Sequence, residues 1–313
     1  MSFVRRTSES YPWVFALVGT VAIISITTAV SGRSPVANLD AAFQSGAILA
    51  IVAIGQMFVI TAGSGNIDLS IPGVMTLGGF VGIGAASSSH DVALGVGAAL
   101  CVGVVAAAVN ICIIMVVGVP PIVATLATNL IADSAVLVLA ANFNGSPPAA
   151  LQGFVDGSVG GIPAVAFVAV AIAAVGAVGL HRTRFGRGLS ATGQSPGAAS
   201  RAGISVRRTT MAAYIVSGLC AGLAGLLLSA VTGASIGIGD PYLLISVAAV
   251  VVGGSSIRGG RSNVGGVLIA AVFLNVILTL FYTLRLTVGY QDVLEGVIII
   301  VVLAGLVPEK VSS

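Results

Sequence analysis

The polar side chains best placed to form hydrogen bonds inside an apolar environment lie in or beside long apolar runs of this sequence. Asp133 falls within an apolar stretch that carries threonine and asparagine on the preceding turns. A carboxylate facing lipid is strongly disfavoured, so we expect Asp133 to face protein or a water-filled cavity. The residues predicted to line a polar pathway are Asn66, Asp68, Thr125, Thr128, Asn129 and Asp133.

Asp68 and Ser70 have a second interpretation as helix caps. Both precede an apolar run that predicts a helix beginning near Ile71, and Asp and Ser are favoured N-cap residues. Pro72 would be tolerated in the first turn of that helix. Capping and solute contact therefore both stay open for this segment.

Catalytic chemistry is poorly supported. Ser64, between Gly63 and Gly65, could resemble a buried nucleophile, but a nucleophile needs a base within hydrogen-bond reach. The two histidines, His90 and His181, are both predicted at helix ends and do not have the spacing of a metal site. We therefore expect no enzyme, and no metal or cofactor bound by this chain.

An ATP site of its own is also excluded. The glycine-rich run from Gly254 to Gly260 superficially resembles a phosphate-binding loop, but Gly260 stands where that loop requires lysine. The sequence has one lysine, Lys310. Ion-coupled transport remains an alternative, because Asp292 and Glu295, three residues apart, would share one helical face.

Composition places the whole chain in a membrane. Its 313 residues are 57% hydrophobic and 7% charged, with a mean hydropathy of +1.12, whereas soluble domains carry about a quarter charged residues. Since a helix needs about 20 apolar residues to cross a bilayer, we predict a single all-α domain over 1–313 with about ten membrane segments. They cover approximately 12–31, 43–62, 70–88, 92–117, 121–141, 162–181, 209–231, 242–254, 263–283 and 289–307.

Two of these segments differ from the others, one in what precedes it and one in length. The first follows Arg5 and Arg6 but exceeds the length of a signal-peptide core, about 7–15 residues, so it predicts an uncleaved membrane helix. The eighth, 242–254, is too short for a full span. It predicts a tilted, broken or half-length helix packed inside protein.

The basic residues predict the orientation. With the N-terminus inside and ten crossings, only Arg33 and Arg285 of the 13 Lys and Arg fall outside. Because inner loops of membrane proteins are enriched in Lys and Arg, both termini are predicted to face the cytoplasm. The net charge of +3 is then explained by topology and contact with lipid, and nucleic acid is not an expected partner.

One inner loop, 182–208, is long, contains six arginines and has no acidic residue. Within it, Ser195, Pro196 and Gly203 are typical of the N-cap, first turn and end of a short helix. On these features alone, a docking helix and a basic connector touching anionic lipid headgroups are both open. The predicted docking residues are Ser195, Pro196, Ala198, Ala199, Arg201, Ala202 and Gly203.

Four patches, at 66–73, 120–128, 183–204 and 248–260, resemble the ribose, xylose and arabinose type of bacterial ABC permease. The loop patch is the most specific of the four. The resemblance covers about 45–305, with departures at Asn66, where the family has glycine, and at 243–246, where two acidic residues are missing. Branched-chain amino-acid permeases are a related alternative.

The resemblance implies a type II ABC importer-like permease in the bacterial inner membrane that carries a sugar or similar small polar solute. Its implied partners are an ABC ATPase that binds ATP and Mg²⁺, a periplasmic solute-binding protein, and a second permease copy. The loop 182–208 would then contain the coupling helix. Residues three and four apart share a helical face, so Ala198, Ala199 and Ala202 are expected to enter the ATPase groove together.

Overall fold

The structure, a computed structural model, describes residues 12–32, 35–287, 289–291, 293–294 and 296–297. Almost all of its regular structure is helical, as the composition predicts. The one exception is a two-residue antiparallel ladder between β1 (Ser158–Val159) and β2 (Ile162–Pro163). The helices are α1 Pro12–Ser31, α2 Pro35–Thr61, α3 Ile71–Ser89, α4 Val92–Cys112, α5 Pro121–Ala140, α6 Ala149–Val155, α7 Ala164–Arg182, α8 Arg184–Gln194, α9 Pro196–Arg201, α10 Val206–Thr232, α11 Tyr242–Val252 and α12 Val264–Thr283.

Seven of the described helices are long and apolar enough to cross a membrane. These are α2 to α5, α7, α10 and α12, and α4 reaches its full length through a π-helical turn at Ile113–Val117. Apolar parts of α1 and α11 are shorter, at Ala16–Ser31 and Tyr242–Val252. The predicted segment at 289–307 lies largely outside the described residues, so the count of ten remains a prediction.

α11 is the short eighth segment. It has 11 residues, of which Ile245, Ser246 and all of 248–252 are buried, so this apolar helix is enclosed by protein. At its end Gly253 packs so closely that an added Cβ would lie 2.5 Å from the backbone nitrogen of Val267 in α12. The half-length helix is therefore stabilised by its neighbours, as short membrane segments require.

α2 lies at the centre of the bundle. In its apolar window 83% of residues are buried, against 22% for α4. α10 packs beside it and contacts α3 and α4 through Gly218, Gly222 and Gly225. A Cβ at any of these three glycines would overlap a backbone carbonyl of α3 or α4, so this small-residue stripe serves internal packing.

The loop 182–208 contains two helices, where the sequence predicted one. α8 is amphipathic and buries Gly186, Leu189 and Thr192, and its N-cap Thr183 accepts a hydrogen bond from the backbone N–H of Gly186 at 3.2 Å. The sequence of α8 is rich in glycine, serine and arginine and has no long apolar run, so apolar length did not predict this helix. α9 follows directly after Ser195.

Candidate functional site

Two non-helical connectors meet at the N-terminus of α3. The α2–α3 connector is 62–70, and the α10–α11 connector is 233–241. In the second, the backbone N–H of Gly239 donates to the Thr76 hydroxyl at 3.1 Å, and a Cβ at Gly239 would overlap the Pro72 carbonyl. Irregular backbone at membrane depth occurs where it is enclosed by protein or lines a cavity, and transporters build solute sites at such broken helices.

Asp68 organises the α2–α3 connector. Its Oδ1 accepts hydrogen bonds from the backbone N–H and the hydroxyl of Ser70, and its Oδ2 accepts from the Ser217 hydroxyl of α10 at 2.8 Å. Asn110 of α4 donates its amide N–H to the Ser70 hydroxyl at 2.9 Å. One buried carboxylate thus joins the connector, α4 and α10.

The electrostatics of Asp68 combine opposing effects. Only 3% of the residue is exposed, and this burial raises the pKa of its carboxyl above the usual range. The hydrogen bonds from Ser70 and Ser217 act in the opposite direction. All of these donors are neutral, so the carboxyl is held by oriented dipoles of hydroxyl and amide groups.

Asn66 provides the second anchor of the same connector. Its Nδ2 donates to the carbonyl of Gly63 at 2.7 Å, and its Oδ1 accepts from the Tyr214 hydroxyl at 3.0 Å. Tyr214 lies three residues before Ser217 on α10, so both anchor the connector from one helical face. Asn66 and Asp68 therefore have protein partners that fix their positions.

The N-terminus of α3 is capped differently from the expectation. Ser70 occupies the N-cap position and Pro72 the first turn, but the Ser70 side chain makes no capping hydrogen bond. Its hydroxyl donates to Asp68 and accepts from Asn110. Instead, Asn129 Oδ1 of α5 accepts from the backbone N–H of Gly73 at 2.8 Å. The prediction of capping by the Ser70 side chain is therefore wrong, whereas Asp68 Oδ1 does accept the backbone N–H of Ser70 at 3.0 Å. The further cap comes from Asn129, 56 residues away.

The other predicted pathway residues of α5 form two groups. Thr125 and Thr128 direct their hydroxyls to backbone carbonyls, Thr125 to Pro121 at 2.9 Å and to Ile67 of the α2–α3 connector at 3.3 Å. Asn129 donates its Nδ2 to Asp133 Oδ2 at 2.8 Å. Asp133 is half-buried, in contact with protein.

Asp240, on the α10–α11 connector, lies within electrostatic range of Asp133 of α5. It is exposed, and it lies at the end of the connector that reaches α3 through Gly239.

Four polar residues near this site were not predicted from the sequence: Asp240, Asn110, Tyr214 and Ser217. Polar residues within the apolar runs of α4 and α10 were the available signal. Among the described residues, no cluster of His, Cys, Asp and Glu has a metal-binding arrangement.

The short helix of the arginine-rich loop has the predicted ends. Ser195 accepts a hydrogen bond from the backbone N–H of Ala198 at 3.3 Å, Pro196 lies in the first turn, and Gly203 follows with φ of +80°. Ala198 and Ala202 are exposed, as is Arg201 between them.

Ala199 differs from this pattern, because it is 3% exposed. The prediction that Ala198, Ala199 and Ala202 form one outward face is therefore wrong. Positions 198 and 202, four apart, share the outward side of the helix, whereas position 199 is turned about 100° away and faces the chain itself.

Comparison with known proteins identifies the family. The model of the branched-chain amino acid transport system / permease component family matches residues 38–303. The D-allose transport system permease protein AlsC of Escherichia coli (strain K12) is 30% identical over 322 residues, covering 97% of this chain and 98% of the relative. The ribose import permease protein RbsC of Bacillus subtilis (strain 168) is 33% identical over 262 residues, covering 82% and 80%.

A third relative is the autoinducer 2 import system permease protein LsrC of Enterobacter sp. (strain 638), which is 29% identical over 269 residues, covering 85% of this chain and 78% of the relative. No solved structure matches the chain significantly. Since the family match extends over most of the sequence and includes both connectors and the arginine-rich loop, the chain belongs to the branched-chain amino acid transport system / permease component family.

Proposed function

We propose that this chain is the membrane-spanning permease subunit of an ABC importer, carrying a sugar or similar small polar solute across the bacterial inner membrane. The observation that carries the proposal is similarity along nearly the full length to permeases named for D-allose and ribose. The polar connectors inside an otherwise apolar helical bundle fit this role, because a polar solute needs hydrogen-bond partners at membrane depth.

Energy comes from a separate ABC ATPase that binds ATP and Mg²⁺. We assign ATPase docking to α9, with Ala198 and Ala202 facing the partner and Arg201 at the rim. Their exposure, the capped helix ends and the absence of acidic residues from 182–208 support this assignment. A periplasmic solute-binding protein delivers the solute, and a second permease copy completes the pathway.

The proposed topology has both termini in the cytoplasm and an even number of crossings, as in type II ABC importers. Contacts at one end of the bundle support it. The backbone N–H of Gly260 donates to the Thr61 carbonyl at 3.0 Å, and Gln194 Nε2 donates to the Gly260 carbonyl at 3.4 Å. The ten-crossing topology places three segments on the inner side: the arginine-bearing loops 182–208 and 253–263, and the end of α2. These contacts bring the three together.

The pathway is proposed to pass the first turn of α3, where Asn129 and Asp133 approach the α10–α11 connector. Four other residues hold the surrounding backbone in place instead of contacting solute, since their polar atoms are hydrogen-bonded within the protein: Asn66, Asp68, Thr125 and Thr128. The acids suggested for ion coupling, Asp292 and Glu295, lie outside the described residues.

Reconstitution tests the proposal. The permease, its ATPase and its solute-binding protein are placed in proteoliposomes, and uptake of ribose, D-allose and related sugars is measured with and without ATP. Uptake that requires ATP and persists after ionophores collapse proton and sodium gradients is expected. Uptake that follows an imposed ion gradient without ATP would instead identify an ion-coupled transporter.

A further inference from the structure

We propose that Gly193, at the end of α8, is the joint that passes ATPase movement from α9 to the α2–α3 connector. The inference rests on the proposed function, and it assigns a role to residues outside the docking helix itself. The joint consists of Gly193 and Gln194 of α8, Thr61 at the end of α2, Gly63 of the α2–α3 connector, and Gly260 of the α11–α12 loop.

α8 is fixed along the end of the central helix. The ring of Phe185 stacks on Phe58 of α2, with centroids 6.1 Å apart and planes inclined by 13°. Leu189, one turn further along α8, is fully buried in the same core as α2. A displacement applied to α9, which follows α8 after Ser195, must therefore act against α2.

Three backbones touch at the joint. A Cβ at Gly193 would overlap the Thr61 carbonyl and the Gly260 nitrogen, and a Cβ at Gly63 would lie 2.7 Å from the Gly193 carbonyl. The backbone N–H of Gly260 donates to Thr61, and Gln194 donates its amide to Gly260. Because these backbones are in direct van der Waals contact, one segment cannot shift without displacing the others.

The joint leads directly into the anchored connector. The carbonyl of Gly63, which belongs to the joint, accepts the hydrogen bond from Asn66, and Asn66 and Asp68 in turn bind α10. A shift of Gly193 thus reaches the start of α3 through two or three bonded neighbours. Coupling between distant sites travels through such contiguous packed elements when they have two arrangements, and alternating access supplies two arrangements.

Gly193→Ala is the test, with Gly188→Ala as the matched control on the same helix. A Cβ at position 188 would make an ordinary 3.5 Å contact with Ile204, whereas at position 193 it would force the backbones apart. We expect Gly193→Ala to co-purify with the ATPase and hydrolyse ATP, but to transport about 10- to 30-fold less solute per ATP, the upper part of the range for mutations in coupling elements. Gly188→Ala should transport as the unaltered protein does.

A milder variant covers the case in which Gly193→Ala fails to assemble. Gln194→Ala removes one part-buried side-chain hydrogen bond to Gly260 and should lower transport per ATP about twofold to threefold, a small coupling loss. Normal transport per ATP in Gly193→Ala would overturn the inference, as would failed assembly of Gly193→Ala together with normal transport in Gln194→Ala. Absence of ATP-driven transport by the unaltered complex would instead refute the proposed function.

Discussion

The two connectors at the start of α3 are held in opposite ways. The α2–α3 connector is fixed by side chains, with Asn66 and Asp68 buried and bonded to α10. The α10–α11 connector reaches α3 through backbone contacts of Gly239 and leaves Asp240 exposed. The α2–α3 connector is therefore held in one position relative to its neighbours, whereas the α10–α11 connector is held by few side-chain hydrogen bonds. This difference agrees with the two proposals above, in which the first connector transmits movement and the second faces the solute.

Labelling from the two sides of the membrane gives the largest contrast. In a chain whose three cysteines are replaced, Ser235→Cys on the α10–α11 connector should react with an impermeant maleimide added outside. Ser64→Cys on the α2–α3 connector should react only after the membrane is permeabilised. Both residues are exposed in the fold, so their accessibility depends on sidedness. Outside labelling of position 64 alone would reverse the proposed topology.

Replacing Asp68 or Asp240, the carboxylates of the two connectors, should have very different effects on the stability of the protein. Asp68→Ala leaves the Ser70 and Ser217 hydroxyls and a backbone N–H without their acceptor, and unpaired buried donors cost about 1–3 kcal/mol each. We expect a loss of about 3 kcal/mol, measured as a lower Tm of the purified protein in detergent. Asp240→Ala, an exposed position, should change stability by less than about 0.5 kcal/mol.

Equal Tm changes in the two variants would contradict the comparison between the connectors. Asp68→Asn is an informative intermediate, because an amide oxygen can still accept one of the hydrogen bonds from Ser70 or Ser217. It should lie between the unaltered protein and Asp68→Ala in Tm.

Much of this architecture could be predicted from the sequence because apolar length alone marks membrane helices. The bounds of α4 with its π-helical turn, of α5 and of α12 agree with the predicted segments within about a residue. The short α9 was predicted from Ser195, Pro196 and Gly203, whose side-chain and backbone preferences act locally. Local chemistry of this kind needs no knowledge of distant contacts.

Apart from α8, which lacks a long apolar run, the failures involve distant contacts. Nothing local to Gly73 indicates that Asn129 caps α3, and nothing local to Ala199 indicates that this alanine faces its own chain. Nothing local to Gly193 indicates that its small size is required by the approach of Thr61 and Gly260. The sequence therefore predicts which residues are polar inside the bundle, but their division into anchors and solute-facing groups follows from tertiary packing.

A smaller effect than that of Asp68→Ala is expected at the start of α3, where Asn129 caps the helix. Asn129→Ala removes the acceptor for the Gly73 N–H and the amide that binds Asp133. Because replacing a helix-capping side chain costs about 1 kcal/mol, we expect a modest drop in Tm that is clearly smaller than for Asp68→Ala. Ser134→Ala on the same helix is the control and should leave Tm unchanged, because the exposed Ser134 hydroxyl bonds to the carbonyl of Leu130 in its own turn.

Asn129 also positions Asp133 toward the proposed pathway. Transport by Asn129→Ala, assayed well below its Tm, should therefore fall further than its stability loss explains. Unchanged transport at such a temperature would place Asn129 with the anchoring residues, and would move the solute-facing surface to the α10–α11 connector alone.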